Sequence, residues 1–558
     1  MKPSGVDQRG RRPAGAAALA AIVLAAAGLR LAGIGYLLPS VMNRDGMVLL
    51  RQVEVLRGGP RSIDADAWRY GFYPHLMARL GTLWPEDPRP TGPVPLARHL
   101  ELASAPWIRL RELSVALSLL AIPATYRLAR RFAGRGSSLL AAALVATSLH
   151  HVVLSIQEKP HAAATGFVAL TLLAALRLRR KPDVRAYLLC GAAGGLAIGT
   201  LQSTWACLFA VGAAFLVRDR TKARASPAWF LATAALLLLA LRVFYPFYFE
   251  SEPGQDGALG FGRKLLGLAG GAPVGRILSA AWALDPVLVT AAAAGILGWI
   301  VLAARDPTRR RSALRGDLAV ILAFAVPYAL VLVAYRETLV RFCLPFVPLS
   351  ACAAAWALER VRPRAARLAV GLAAVAASLV PALHFARIRT RPSPLDEAAR
   401  WVEAHVDPGE AVVVVPSYDL PLLATDDAIA ANREPPYRTI WAEYQAHAAP
   451  GSLEGPRRRI LVEPGRRPGS REKLAEDPVG YLREAGARYA VIDLSGIPSG
   501  VFRDRMELLE RISPAERDDG RSRGVVLWGT GYDPLRPSAL GILGLRSLGT
   551  SVEIYRIP

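Results

Sequence analysis

The chain has 558 residues, of which 53% are hydrophobic, and a formal net charge of +23. A soluble chain of this length would divide into three or four domains, yet the apolar residues gather in unbroken runs at 14–29, 318–335 and 368–383. At about 1.5 Å per residue, runs approaching 20 residues match a bilayer core of roughly 30 Å. The positive charge argues against a nucleic-acid partner, because it is divided among short clusters between apolar runs: Arg127 to Arg135, Arg177 to Arg185, Arg218 to Arg224, Arg305 to Arg315 and Arg360 to Arg367. That is the positive-inside pattern of a membrane protein.

Taken in chain order with the basic clusters inside, the elements alternate consistently. The first apolar segment follows Arg9, Arg11 and Arg12 and runs on to about residue 38. It reads as an uncleaved helix with a cytoplasmic N-terminus rather than a signal peptide. A long outer loop, 39–109, leads to helix two, about 110–133. Helix three, about 137–156, ends in a short outer turn, 157–161. Helix four covers about 162–178, and five and six, about 186–202 and 205–217, form a hairpin. Helix seven, about 229–248, ends in the aromatic residues Phe244, Tyr245, Phe247, Tyr248 and Phe249, an interface belt. A Gly-rich outer loop, 250–285, leads on to the next helix, and its four-glycine stretch, Gly254 to Gly262, reads as a mobile loop over the active site. Helix eight, about 286–304, and helices nine to eleven follow, ending outside near Arg387. The expectation is a polytopic α-helical domain over residues 1–390 with about eleven transmembrane helices.

The composition changes after Pro392. Ser393-Pro394 has the form of an N-cap followed by proline at the first helical position. Residues 395–405 have helical periodicity, and 411–415, 489–494 and 551–557 read as strands. Residues 391–558 are therefore expected to form an extracytoplasmic α/β domain. Cys190, Cys207, Cys343 and Cys352 all lie in apolar segments, where cysteine acts as a small hydrophobe. No internal repeat suggests a transporter. In the C-terminal domain, Tyr418-Asp419 and Asp426-Asp427 read as ordinary loop polar residues.

Asp45 follows the first helix directly, in Leu38-Pro39-Ser-Val-Met-Asn43-Arg44-Asp45-Gly46. An aspartate at a helix end beside the membrane surface can take a proton from an alcohol, work worth about 10²–10⁴-fold in rate; its plain alternative is a solvated acid beside Arg44. Arg30 lies inside a membrane helix and has two readings, a functional cation or a side chain snorkelling to the outer interface.

These residues have a wider context. A helix with arginine in its outer half, a Leu-Pro at its end and an acid soon after resembles the GT-C superfamily of membrane glycosyltransferases. The nearest branch includes the protein O-mannosyltransferases and the lipid A aminoarabinose transferases, the glycosyltransferase family 39 type. Tyr73-Pro74-His75-Leu76 is similar to that family's element after the first-loop acid. Arg341-Phe342-Cys-Leu-Pro345-Phe-Val-Pro348 is similar to its late Arg-Tyr-x-x-Pro-x-x-Pro signature, and 549–557 resembles the closing strand of many bacterial members. Two departures stand out: Asp45-Gly46 where the family usually has Asp-Glu, and His161 where the turn after helix three usually carries a second acid.

The resemblance implies inverting transfer of a sugar from a polyprenyl-phosphate donor to an acceptor hydroxyl, with Asp45 as base. It implies Lys159, His161, Arg336, Arg341 and Arg30 as donor phosphate-binding cations, and Tyr73, His75 and Glu158 as substrate-loop residues. It brings no certain cofactor and leaves a divalent metal open. The partners it implies are the polyprenyl-phosphate-linked sugar, the bilayer and an acceptor lipid, glycan or protein, with no nucleic acid. The implied location is a bacterial inner membrane, multi-pass. Two other readings stand beside it. A flippase of lipid-linked glycans would place charges in the middle of several helices, and an inactive relative acting in envelope assembly would fit the departures at Gly46 and His161.

Overall fold

The computed structural model of the protein describes residues 12–40, 90–218, 227–244, 274–308, 316–334, 339–415, 419–433, 439–462, 473, 476–494, 500–516 and 538–558. The N-terminal part is a bundle of helices: α1 (Arg12–Leu31), α2 (Leu96–Ser118), α3 (Ala121–Ala129), α4 (Arg135–Thr147), α5 (Leu149–Ser155), α6 (His161–Arg180), α7 (Val184–Thr200), α8 (Cys207–Leu216), α9 (Pro227–Phe244), α10 (Val274–Leu284), α11 (Pro286–Arg305), α12 (Asp317–Ala334), α13 (Phe346–Leu358) and α14 (Arg364–Ile388). Among the described residues six helical segments are long and apolar enough to cross a membrane, or seven if the bent pair α4–α5 counts as one span. The protein is a multi-span helical membrane protein. The apolar segments of the sequence are helical over much of their described length, but the first ends at Leu31 rather than near residue 38, the end of the seventh, 245–248, lies outside the described residues, and α7, α8 and α13 are shorter than a full span.

Two stretches differ from the sequence reading. Residues 96–109, expected to be loop, form the first turns of α2, where Trp107, Leu110, Arg111 and Ser114 share one buried helical face. The outer loop read over 250–285 contains α10 from Val274 onward; the stretch read as mobile, 254–262, lies outside the described residues.

The bundle has two unlike ends. At one, charged side chains join neighbouring helices: Arg179 meets Asp317 at 2.6 Å and Arg180 bonds the same carboxylate. Glu359 accepts from the Ser137 hydroxyl at 2.7 Å and from Arg367 at 2.6 Å. The core between the ends is built from small residues, which lets helix axes come close. Gly166 of α6 faces the Leu117 carbonyl of α2, and a Cβ there would stand 3.1 Å from that oxygen. All four cysteines are free and buried.

The other end carries the C-terminal sheet region. Helix α15 (Pro394–His405) opens it with a capping box between Ser393 and Asp396, as the Ser-Pro start led us to expect. Strands β1 (Ala411–Val415), β2 (Arg459–Val462), β3 (Tyr489–Asp493), β4 (Glu507–Ile512) and β5 (Val552–Arg556) form one sheet in the order β2-β1-β3-β5-β4. The first three are parallel, and β5 pairs antiparallel with β3 and β4. Alternation sorts the strand residues: Val412, Val414, Val491 and Ile554 pack under α15, while Val413, Val415, Ala490 and Tyr555 face Leu482 and Phe502. This region is joined to the bundle by one continuous apolar cluster, in which Tyr36, Val152, Ile156, Phe385 and Ile388 meet Ile542, Leu545 and Leu548.

Candidate functional site

At the sheet-bearing end the helices break, and the breaks carry the ionisable residues. Ser148 ends α4 with non-helical backbone, and α5 leaves at 51° to α4. The break is held from outside. Asp285, just ahead of α11, accepts from the Ser148 hydroxyl at 2.5 Å and from the Leu149 amide at 2.8 Å, so orphan donors at the start of α5 are satisfied by a distant carboxylate. The bend places His150 and His151 inside the bundle, at 2% and 0% exposure.

Arg30 is fully buried and points at this break. Its guanidinium donates to the Ala26 and Ala146 carbonyls at 2.9 and 3.0 Å and lies 2.8 Å from His151 Nδ1. Of the two sequence readings the snorkelling one is excluded, because an inward side chain with no exposed surface does not reach a lipid interface.

The turn after α5, read as a short outer turn, has interior side chains. Gln157, Glu158, Lys159 and His161 are each at most 5% exposed. Glu158 is in a buried ion pair with Arg111 of α2 at 2.5 Å, both side chains 1% exposed. The same guanidinium donates to the Ile34 and Tyr36 carbonyls at 2.6 and 3.0 Å. Sequence reasoning missed Arg111 because starting helix two at Leu110 put this arginine at a helix end, whereas it lies deep within α2. The signal was an arginine on the apolar face of a helix, which by default points inward and has a partner.

His161 opens α6 and meets Phe342 edge-on, with ring centroids 5.3 Å apart. Phe342 belongs to a short 3₁₀ turn, Val340–Cys343, that precedes α13, and Arg341 stands 5.4 Å from the same ring. Among the described residues, Arg341, Lys159 and His150 are the charged or titratable groups acting on His161, and the His150 ring bonds the Val340 backbone. The structure thus brings Lys159, His161 and Arg341, three of the five expected cations, together, with His150 beside them. No described protein group hydrogen-bonds either ring nitrogen of His161 or the buried Nε of Arg341. Buried polar atoms of this kind are rare in proteins and point to a ligand or ordered solvent.

Asp45, Tyr73, His75 and Arg336 lie outside the described residues. The described residues contain no group of three or more His, Cys, Asp or Glu side chains able to hold a metal ion. In the sheet region Asp419 is not the ordinary loop residue expected. It is buried and accepts from the Thr439 hydroxyl at 2.7 Å, and burial raises its pKa to about 6. Asp426 and Asp427 are surface acids paired with Arg457 and Arg459.

A search of curated protein sequences finds no relative. Among solved structures the chain is similar to the apo oligosaccharyltransferase of Archaeoglobus fulgidus, at 14% identity and TM-score 0.46, over 87% of this chain and 70% of that one. It is also similar to ArnT from Cupriavidus metallidurans bound to undecaprenyl phosphate, at 16% identity and TM-score 0.45, over 88% and 94% of the two chains. A third is the arabinofuranosyltransferase AftD from Mycobacteria, at 18% identity and TM-score 0.42, over 99% of this chain and 42% of that one. Residues 96–246, the segment holding Arg111, Glu158, Lys159 and His161, match the family described as dolichyl-phosphate-mannose-protein mannosyltransferase; the motifs at 38–46, 73–76 and 341–348 lie outside the matched segment.

Proposed function

We propose that the protein is a membrane glycosyltransferase that moves a sugar from a polyprenyl-phosphate carrier to an acceptor hydroxyl. The observation that carries this reading is the gathering of Lys159, His161 and Arg341 at the sheet-bearing end of the bundle, with two of the three inside the segment that matches a polyprenyl-phosphate-sugar transferase family. When the bond between the anomeric carbon and the phosphate oxygen breaks, negative charge collects on a phosphate that stays attached to its lipid. Preorganised cations in a water-poor site stabilise that developing charge more than water does. Asp45 takes the proton of the acceptor hydroxyl as its oxygen attacks the anomeric carbon from the side opposite the phosphate, and the sugar is transferred with inversion. Glu158 is not assigned the base: its carboxylate is held by Arg111 in a buried pair.

The division into a membrane domain, 1–390, and a C-terminal α/β domain, 391–558, belongs to the same reading. So does the orientation. The charged end with Arg179, Arg180 and Arg367 faces the cytoplasm by the positive-inside rule, which puts the cation cluster and the sheet region on the outer side of a bacterial inner membrane. The acceptor is a lipid, glycan or protein reaching that face.

The test is transfer by the purified full-length protein supplied with labelled polyprenyl-phosphate sugars and a mixture of envelope acceptors. Labelled product together with free polyprenyl phosphate supports the proposal. Movement of intact donor between leaflets without product would mark a flippase, and donor binding without either would mark an inactive relative.

A further inference from the structure

The segment that leaves α1 is held firmly by the elements around it. Its backbone is unusual. Gly33 has φ +62°, and Leu37 has φ 61°, a left-handed conformation that a leucine rarely adopts. Such strain persists only where the surroundings over-determine the backbone. Those surroundings can be named. From α2, Arg111 bonds the Ile34 and Tyr36 carbonyls. From the end of α14, Arg389 bonds the Leu29 and Arg30 carbonyls at 2.5 and 3.0 Å, and it is only 2% exposed. The Tyr36 ring lies between the two guanidiniums, 4.4 Å from Arg111 and 6.0 Å from Arg389. A Cβ on Gly33 would stand 2.6 Å from the Arg389 backbone, so the two chains touch there.

The sheet region adds two more holds. The Asp419 amide donates to the Ser40 carbonyl at 3.1 Å. Leu37 packs against the apolar cluster under α15 and also against the cluster that joins the bundle to the sheet region. Arg389 stands where the bundle passes into that region, so it couples the two. Asp45 follows Ser40 by five residues.

We propose that Arg389 and Arg111 are positioning residues that, together with the sheet region, clamp the exit of α1 and fix the root of the segment carrying Asp45. The C-terminal region is then a working part of the transferase, since it sets the base's anchor from the opposite end of the chain. This rests on the reading of Asp45 as base; the clamp itself is observed in the exit segment.

The experiment uses the full chain in lipid nanodiscs and compares Arg389→Ala and Arg389→Lys with the parent. Hydrogen exchange is followed at the amides of Ile34, Tyr36 and Leu38, which bond to Leu31, Gly33 and Gly35, with β3 as an internal reference. Arg389→Ala should speed exchange of these three amides roughly 10-fold or more, as expected for the loss of two charge-assisted hydrogen bonds, with β3 unchanged. Its kcat should fall about 10²-fold, the cost of a displacement near 1 Å at a reacting group, while the donor KM stays within about 3-fold. Arg389→Lys, which keeps a cation within reach of a carbonyl, should lie between. Parent-like exchange in the exit segment overturns the clamp, whatever the activity. Faster exchange with parent-like kcat overturns the positioning role. If Arg389→Ala also loosens β3, Arg389→Lys decides by the same two criteria. A parent without transfer activity would sink the transferase reading instead, and the exchange measurement would still decide the clamp.

Discussion

The Arg111–Glu158 pair gives the sharpest stability prediction. Both side chains are 1% exposed, and Arg111 also serves two backbone carbonyls. Arg111→Met strands the Glu158 carboxylate and removes the donors to Ile34 and Tyr36. Breaking a buried pair by deleting one partner costs about 3–5 kcal/mol, so this variant should lose at least that much. Glu158→Gln keeps the shape and an oxygen acceptor, and the arginine keeps its two carbonyls; its cost should be about 1–3 kcal/mol. The double variant Arg111→Met/Glu158→Gln leaves no uncompensated charge and should recover part of the loss. The assay is a double-mutant cycle on unfolding of the purified protein in one fixed detergent, read by tryptophan fluorescence. Trp107, buried one helical turn before Arg111, is a local reporter. The two single effects should exceed the double effect by about 2 kcal/mol or more, within the range for contacting residues. Additivity within about 0.5 kcal/mol would refute the pairing. Parent-like stability combined with lost transfer in Glu158→Gln would refute the assignment of Glu158 to structure and make it the base.

Three further outcomes are expected. Arg341→Ala and Lys159→Ala should raise the donor KM by about 10-fold or more in a donor titration, since a cation about 4 Å from a phosphate gains roughly 4 kcal/mol before desolvation at an effective dielectric of 20; His161→Ala should do less at neutral pH, where histidine is mostly uncharged. Asp419 has its pKa raised by burial to about 6, above the ordinary carboxylate value. The folded state therefore binds this proton more tightly than the unfolded state, and the associated stability is lost as pH rises from about 4 to about 6. Asp419→Asn should flatten that part of the stability–pH curve by up to about 3 kcal/mol, and an unchanged slope would remove Asp419 as its source. A reporter fused at about Gly409 should be active for periplasmic alkaline phosphatase and silent for a cytoplasmic reporter, and the reverse result would invert the membrane orientation.

Much of the bundle was legible because apolar length is a local signal. Residues 286–304 and 318–335 were read almost to their ends, and so were the Ser393 cap and strands β1, β3 and β5. The first turns of α2 were not legible, because Arg98, His99 and Glu101 interrupt the apolar pattern and His99 finds its partners, Tyr444 and the Ser452 carbonyl, some 350 residues away. Strands β2 and β4 are the sheet's edges; Glu507–Ile512 mixes leucines with charges in a way that also suits a helix, and only pairing with β5 settles it. The candidate site was legible in part for the same reason. Lys159 and His161 share one turn and could be named together from the sequence, whereas the partners of Glu158 and Arg30 come from other helices. Asp285, read only as the end of a loop, is the carboxylate that holds the bend at Ser148.

The account's central claim is tested most directly by following polyprenyl phosphate release from a labelled donor by the parent and by Asp45→Asn, at equal protein level in the same lipid. The account predicts acceptor-dependent release by the parent, product with inverted anomeric configuration, and a rate about 10²–10⁴-fold lower in the Asn variant, the range for loss of a general base. Release at the parent's rate by Asp45→Asn would take the base away from Asp45, and no acceptor-dependent release by the parent would contradict the glycosyltransferase reading itself.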